Sequence, residues 1–135
     1  MRIVKVLLSF AAGVSFFLLL AQSDADYQGY MQSVASSNKK FQKAAKEKDG
    51  ATVATEGAAL EGIFKQVEAF WSKRGGAADA VTFAKTAHMA AAAASAAAKA
   101  GDLDKAAAEA ATVGGACGGC HAAHREKGEG GFKIK

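Results

Sequence analysis

Proline is absent from this chain of 135 residues, and nowhere do apolar and polar residues alternate over the length of a strand. The commonest helix breaker is therefore missing, and so is the signature of a half-buried strand. Strand-built domains are set aside, and helix is what remains. No acid, base and nucleophile form a recognisable constellation, which excludes the common hydrolytic enzymes. No basic stripe with interleaved aromatics occurs either, so the 17 basic residues against 13 acidic ones do not indicate a nucleic-acid partner.

Part of that positive charge belongs to a leader. Arg2 and Lys5 precede a nearly unbroken apolar run from Val6 to Ala21, and Ala21-Gln22-Ser23 offers small residues of the kind a signal peptidase reads. The run is shorter than the about 20 residues that a spanning helix needs, so residues 1–23 are expected to be a cleaved signal peptide. A membrane association follows only if the leader is retained. The remaining chain is of single-domain size.

That domain divides into four helical segments at Asp49-Gly50, Arg74-Gly75-Gly76 and Gly101-Asp102. Helices are expected over about Ala25 to Lys48, Thr52 to Lys73, Ala78 to Ala100 and Leu103 to Lys127. The first carries Tyr27, Tyr30, Met31, Val34, Phe41 and Ala45 at helical spacing, and the second carries Val53, Leu60, Ile63, Phe64, Val67, Phe70 and Trp71. Alanine dominates Ala90 to Ala98 of the third, suiting close helix approach, space for a flat ligand, or simply strong helix formation. The expected fold is all-α, an antiparallel up-down-up-down four-helix bundle over residues 24–127 preceded by a signal helix. Residues 128–135, with Gly130-Gly131, have no partner pattern and are expected to fray as a flexible tail. Lys39, Lys40, Lys43, Lys46 and Lys48 read first as a solvated face complementing a helix C-terminus, and second as a docking patch.

The last helix carries Cys117-Gly118-Gly119-Cys120-His121, the spacing by which haem c is attached. Thiols three residues apart lie on roughly one side of a helix, so each can form a thioether to one haem vinyl group. His121, directly after the second cysteine, is placed to offer an imidazole as proximal iron ligand. Three other uses of these residues stay open. A redox Cys-x-x-Cys pair normally starts a helix after a strand. A zinc site could draw on Cys117, Cys120, His121 and His124, although structural zinc usually takes ligands from two separated segments. A plain disulfide would suit an exported chain.

A four-helix chain with Cys117-Gly118-Gly119-Cys120-His121-Ala122-Ala123-His124-Arg125 near its C-terminus resembles class II cytochrome c, the cytochrome c′ group. The stretch Tyr27-Gln28-Gly29-Tyr30-Met31-Gln32-Ser33-Val34 looks like the family's distal helix, and the resemblance covers the whole chain after the leader. Class I cytochromes c instead place the haem motif near the N-terminus, with a methionine ligand far downstream.

The resemblance implies one haem c per chain and a function set by the sixth coordination position. Met31 occupies the family's distal position, which implies a low-spin, six-coordinate member with His/Met ligation that carries single electrons in the periplasm and is not an enzyme. An unligated distal side would imply instead a five-coordinate cytochrome c′ that binds nitric oxide or carbon monoxide. Met89 and His88 are rival ligands on the third helix, and His124, on the proximal helix, is expected to pack near the haem edge. Arg125 matches the basic residue that relatives place beside the proximal histidine. Relatives often carry an arginine near the start of the first helix that meets a haem propionate, where this chain has Tyr27 and Gln28. The implied partners are redox proteins and the haem-attachment machinery, with the exposed faces of the first two helices available for a homodimer.

Overall fold

A computed structural model describes residues 22–135; the expected signal helix lies, apart from Gln22 and Ser23, outside the described residues. Four helices follow one another: α1 (Asp24–Glu47), α2 (Gly50–Arg74), α3 (Ala78–Lys99) and α4 (Leu103–His124). Two short strands complete the chain, β1 (Arg125–Gly128) and β2 (Gly131–Ile134). Helices adjacent in sequence pack on one another, and the fold is all-α apart from this terminal hairpin. Among the described residues no helix is long and apolar enough to cross a membrane.

Short polar side chains start three of the helices. Ser23 caps α1 in a reciprocal box, its N–H donating to the Asp26 carboxylate at 2.7 Å and its Oγ accepting from the Asp26 N–H at 3.1 Å. Gln22 also reaches into the bundle, donating to the Tyr30 hydroxyl at 3.0 Å. Helix α1 itself begins at Asp24, the residue after the expected leader boundary, with Ser23 as its cap. Asp49 and Asp102 cap α2 and α4 by accepting from the Thr52 and Lys105 N–H groups. The α2–α3 connection turns through Gly75 and Gly76, at φ 73° and 75°, a region that favours glycine. Helix bounds agree with the expected ones to within a turn, but α1 stops at Lys48, left-handed at φ 55°, and Gly50 already belongs to α2.

The C-terminus departs from expectation more sharply. Helix α4 ends at His124 rather than Lys127, where Arg125 turns to extended backbone at φ −119°, ψ 133°. The segment expected to fray pairs antiparallel, Arg125 opposite Ile134 and Gly128 opposite Gly131, with a turn through Gly130 at φ 81°. Its alternation, Phe132 and Ile134 around Lys133, is too short to register as a strand pattern, and Ile134 packs against the core.

The core is unequal. Helix α2 buries Val53, Leu60, Phe64, Val67, Phe70 and Trp71, whereas α3 presents Ala80, Ala84, Ala87, Ala91, Ala94 and Ala98. Methyl side chains let α3 lie close to both α2 and α4. A Cβ built on Gly57 of α2 would sit 2.9 Å from the Ala91 carbonyl oxygen and 3.3 Å from the Phe41 ring. Ser95, the single interruption of the alanine run, is buried and donates to the Ala54 carbonyl at 2.8 Å. The alanines serve both helix formation and close helix approach. Helices α1 and α4 touch sparingly by comparison, which leaves a gap between them.

Two glycines of α2 should respond oppositely to alanine. Gly57→Ala forces backbone apart and should cost about 1–3 kcal/mol, whereas Gly62→Ala meets nothing within 4 Å and should gain roughly 0.5–1 kcal/mol from helix propensity. Equilibrium denaturation of the two variants measures both signs.

Candidate functional site

The gap between α1 and α4 opens into a cavity of about 460 Å³, within the range of roughly 300–1,000 Å³ typical of small-molecule and cofactor sites. Tyr27, Met31 and Val34 of α1 form one wall, and Cys117, Cys120 and His121 of α4 form another. The hairpin closes a third side with Arg125, Phe132 and Ile134. A second cavity of about 20 Å³ shares Met31, Cys120 and His121 and is lined by Phe64 and Phe83.

Spacing along α4 explains the second wall. Residues 117, 120, 121 and 124 recur at i, i+3, i+4 and i+7 and so occupy one stripe of the helix. Packing explains how closely that stripe is held. A Cβ on Gly119 would lie 2.6 Å from the Phe83 ring of α3, so Phe83 rests on the backbone between the two cysteines. Gly118, its neighbour, has nothing within 4 Å. His124 Nε2 lies 2.8 Å from the Asp79 carboxylate at the start of α3, and its ring stacks obliquely on Trp71 at 5.0 Å. The last turn of α4 is thereby held to both α2 and α3.

This environment favours the neutral forms of the thiols, the imidazole and the phenol that line the site. Burial pushes the Cys117 thiol above its ordinary pKa and Cys120 up to about 11, the charges of Cys117 and Asp79 adding to the latter. Both thiols are unbridged and lie in the final two turns of α4, where the negative end of the helix dipole opposes a thiolate. A redox cysteine pair needs the reverse, a lowered pKa at a helix N-terminus. Burial, with the positive charge of Arg125 second, pulls the His121 imidazole below its ordinary value, favouring the neutral form that ligates metals. Burial raises Tyr27 to about 12, so a neutral phenol faces the cavity.

The residues read from sequence fall into two groups. Cys117, Cys120, His121, Met31 and Arg125 come together around one cavity, with His124 at its edge. Met89 does not join them: it is 57% exposed. His88 lies on the α2–α3 seam with Nε2 at 2.6 Å from the Glu68 carboxylate, and it lines neither cavity. Among the described residues no three His, Cys, Asp or Glu side chains converge to hold a metal ion, so the zinc arrangement is not assembled. Lys43 and Lys48 of the basic cluster sit in exposed ion pairs with Glu47 and Asp104, as a solvated face would, and Lys40 pairs with the partly buried Glu56.

Several participants were not read from the sequence. Phe83 and Asp79 touch the motif only through tertiary packing, and Phe132 and Ile134 enter through the hairpin. Their only sequence trace was the absence of any helix signal after Lys127. Comparison with protein-family models, with curated proteins and with solved structures finds no match for this chain.

Alanine at the two motif glycines should separate packing from propensity: Gly119→Ala should lose about 1–3 kcal/mol and Gly118→Ala should not, by equilibrium denaturation. A pH dependence follows from Asp79, whose carboxyl the His124 hydrogen bond holds below its ordinary pKa. A depressed carboxylate stabilises the fold above the unfolded-state value and loses that contribution as pH falls through the depressed one. The melting temperature of Asp79→Asn should therefore lie below that of the unsubstituted protein at pH 6, and the gap should close as pH falls below about 4.

Proposed function

We propose that this protein is an exported monohaem c-type cytochrome of the class II kind, carrying single electrons in the periplasm. The observation that carries this reading is the meeting of Met31 with Cys117, Cys120 and His121 around one largely apolar cavity. The residues fit the group. Cys117 and Cys120 would hold haem c by two thioethers, His121 would be the proximal ligand and Met31 the distal one. When bound, haem c supplies an iron that changes valence by one electron. Residues 1–23 act as the signal in this reading, and the short connections favour an up-down-up-down course of the helices.

The chain's own contribution is binding, orientation and exclusion of water. Phe83 against Gly119, and Asp79 with Trp71 against His124, hold the motif at a set height on α4. Val34 and Ile134 supply apolar walls that limit water at the site, with the exposed Phe132 ring at the rim. His121 is kept neutral by its burial, and Met31 brings a soft thioether from the facing helix. In this reading the protein transfers electrons and transforms no substrate. The chain would work with the haem-attachment machinery during maturation and with redox proteins afterwards, and the exposed faces of α1 and α2 allow a homodimer.

The optical spectrum of protein matured with haem-attachment machinery tests this reading. A low-spin ferrous spectrum unmoved by carbon monoxide is expected; a high-spin spectrum that shifts would transfer the protein to the gas-binding class, and absence of covalent haem would overturn the cytochrome reading. Met31→Ala should turn a carbon monoxide-inert protein into a reactive one. An unchanged spectrum in that variant removes Met31 as ligand.

A further inference from the structure

The terminal hairpin brings the positive charges of Arg125 and Lys133 to the cavity. No aspartate or glutamate lines the cavity, and Arg125 forms no ion pair among the described residues. The neighbouring acid, Glu126, is engaged by Lys133 at 3.2 Å. Lys133 also lines the cavity, its charge met by Glu126, while strand alternation gives Arg125 the same face of the ribbon as Phe132 and Ile134. The Arg125 guanidinium lies over the Phe132 ring at 4.0 Å from its centroid. Stacking of this kind occupies the flat face of the guanidinium and leaves its in-plane N–H donors available for a planar oxyanion.

The hairpin is also fastened where it is. Gln28 Nε2 donates to the Phe132 carbonyl at 3.1 Å, the Lys135 N–H donates to the His124 carbonyl at 3.0 Å, and Ile134 packs against the core. Helix α1 thus grips the hairpin through the Gln28 side chain. The Arg125 charge acts on both walls of the cavity, lowering His121 on α4 and opposing the rise of Tyr27 on α1.

We propose that the hairpin is a clasp over the cavity mouth in which Phe132 positions Arg125 to bind a carboxylate of the bound cofactor, a haem propionate. This rests on the haem reading above and adds to it the group that recognises the cofactor's acid edge. A bidentate guanidinium–carboxylate pair at the rim of an apolar site is the strong form of such a contact. Phe132 is a positioning residue: it restricts the guanidinium and needs no contact with the carboxylate itself.

Reduction equilibria of matured holoprotein variants test the clasp. Loss of the cation leaves the propionate charge uncompensated and disfavours the ferrous state, so Arg125→Gln should shift the equilibrium toward ferric by about three- to tenfold, the tenfold end being about 59 mV for one electron. Phe132→Ala should shift it in the same direction by a smaller factor, and Phe132→Tyr, which keeps the stack, should restore it. Lys127→Gln removes an equal charge from the same hairpin outside the cavity and should change the equilibrium less than twofold. Amide exchange of residues 125–134 should quicken in Arg125→Gln holoprotein. Equal shifts from Arg125→Gln and Lys127→Gln, or a Phe132→Ala variant matching the unsubstituted protein, overturn the clasp while leaving the cytochrome reading intact. Covalent haem missing from every variant, seen as an unchanged protein mass, overturns both.

Discussion

Everything distinctive in this molecule depends on how closely α3 can approach its neighbours. A helix whose buried face is Ala80, Ala84, Ala87, Ala91, Ala94 and Ala98 has little side-chain bulk to hold other helices away. Interaxial distance follows the side chains at the contact, so α2 is drawn close to α3, to the point where a Cβ at 57 would crowd the Ala91 carbonyl, while at 119 the Phe83 ring of α3 meets the α4 backbone. Helix α1 is built differently, with Tyr27, Tyr30, Met31 and Phe41 on its inner side. It leans on α2 and meets α4 sparingly. The cavity is the space those two packing regimes leave between them. Its placement beside Met31 and the cysteine stripe follows from which helix carries methyl groups and which carries rings.

Electrostatics then suits that space to a neutral ligand set. The motif lies at the C-terminal end of α4, where unpaired carbonyls and burial both oppose thiolate formation. Thiols held as thiols are poor metal ligands and poor exchange nucleophiles. An imidazole held neutral and a thioether across the gap are good iron donors. The same Cys-x-x-Cys spacing at a helix N-terminus would produce the opposite chemistry. Position along the helix, as much as spacing, decides what the pair can do.

The helices and their inner faces were legible because each depends on local rules. Glycine and aspartate mark the breaks, and the apolar spacing of Val53 to Trp71 names a buried face that the structure reproduces, with Ile63 half-buried at its edge. The cysteine and histidine stripe was legible for the same reason. Features that depend on partners distant in sequence were not. Phe83 meets Gly119 and Asp79 meets His124 across helix interfaces that no periodicity reports. Lys48 ends α1 in a left-handed conformation normally given to glycine, and Gly50 of the expected break already belongs to α2. Ser23 reads equally as a leader residue and as a helix cap, and only the reciprocal bonds with Asp26 show the second.

The hairpin was illegible for a more instructive reason, which also bears on the site. Two strands of four residues make a ribbon that is marginal at best on its own in water, and the eleven residues after His124 are too few for a stable separate helix. No local propensity could have announced it. Its order comes from what it docks against: Ile134 at the core, the Gln28 amide on the Phe132 carbonyl, and the end of α4 on Lys135. Each of those anchors lies on or beside the cavity wall. A segment ordered only by its docking surface is sensitive to what fills the space beneath it, since any ligand that binds the docked form alone adds its binding free energy to that order. The hairpin is thereby coupled to the cavity it helps to line, and residues 125–134 form part of the site.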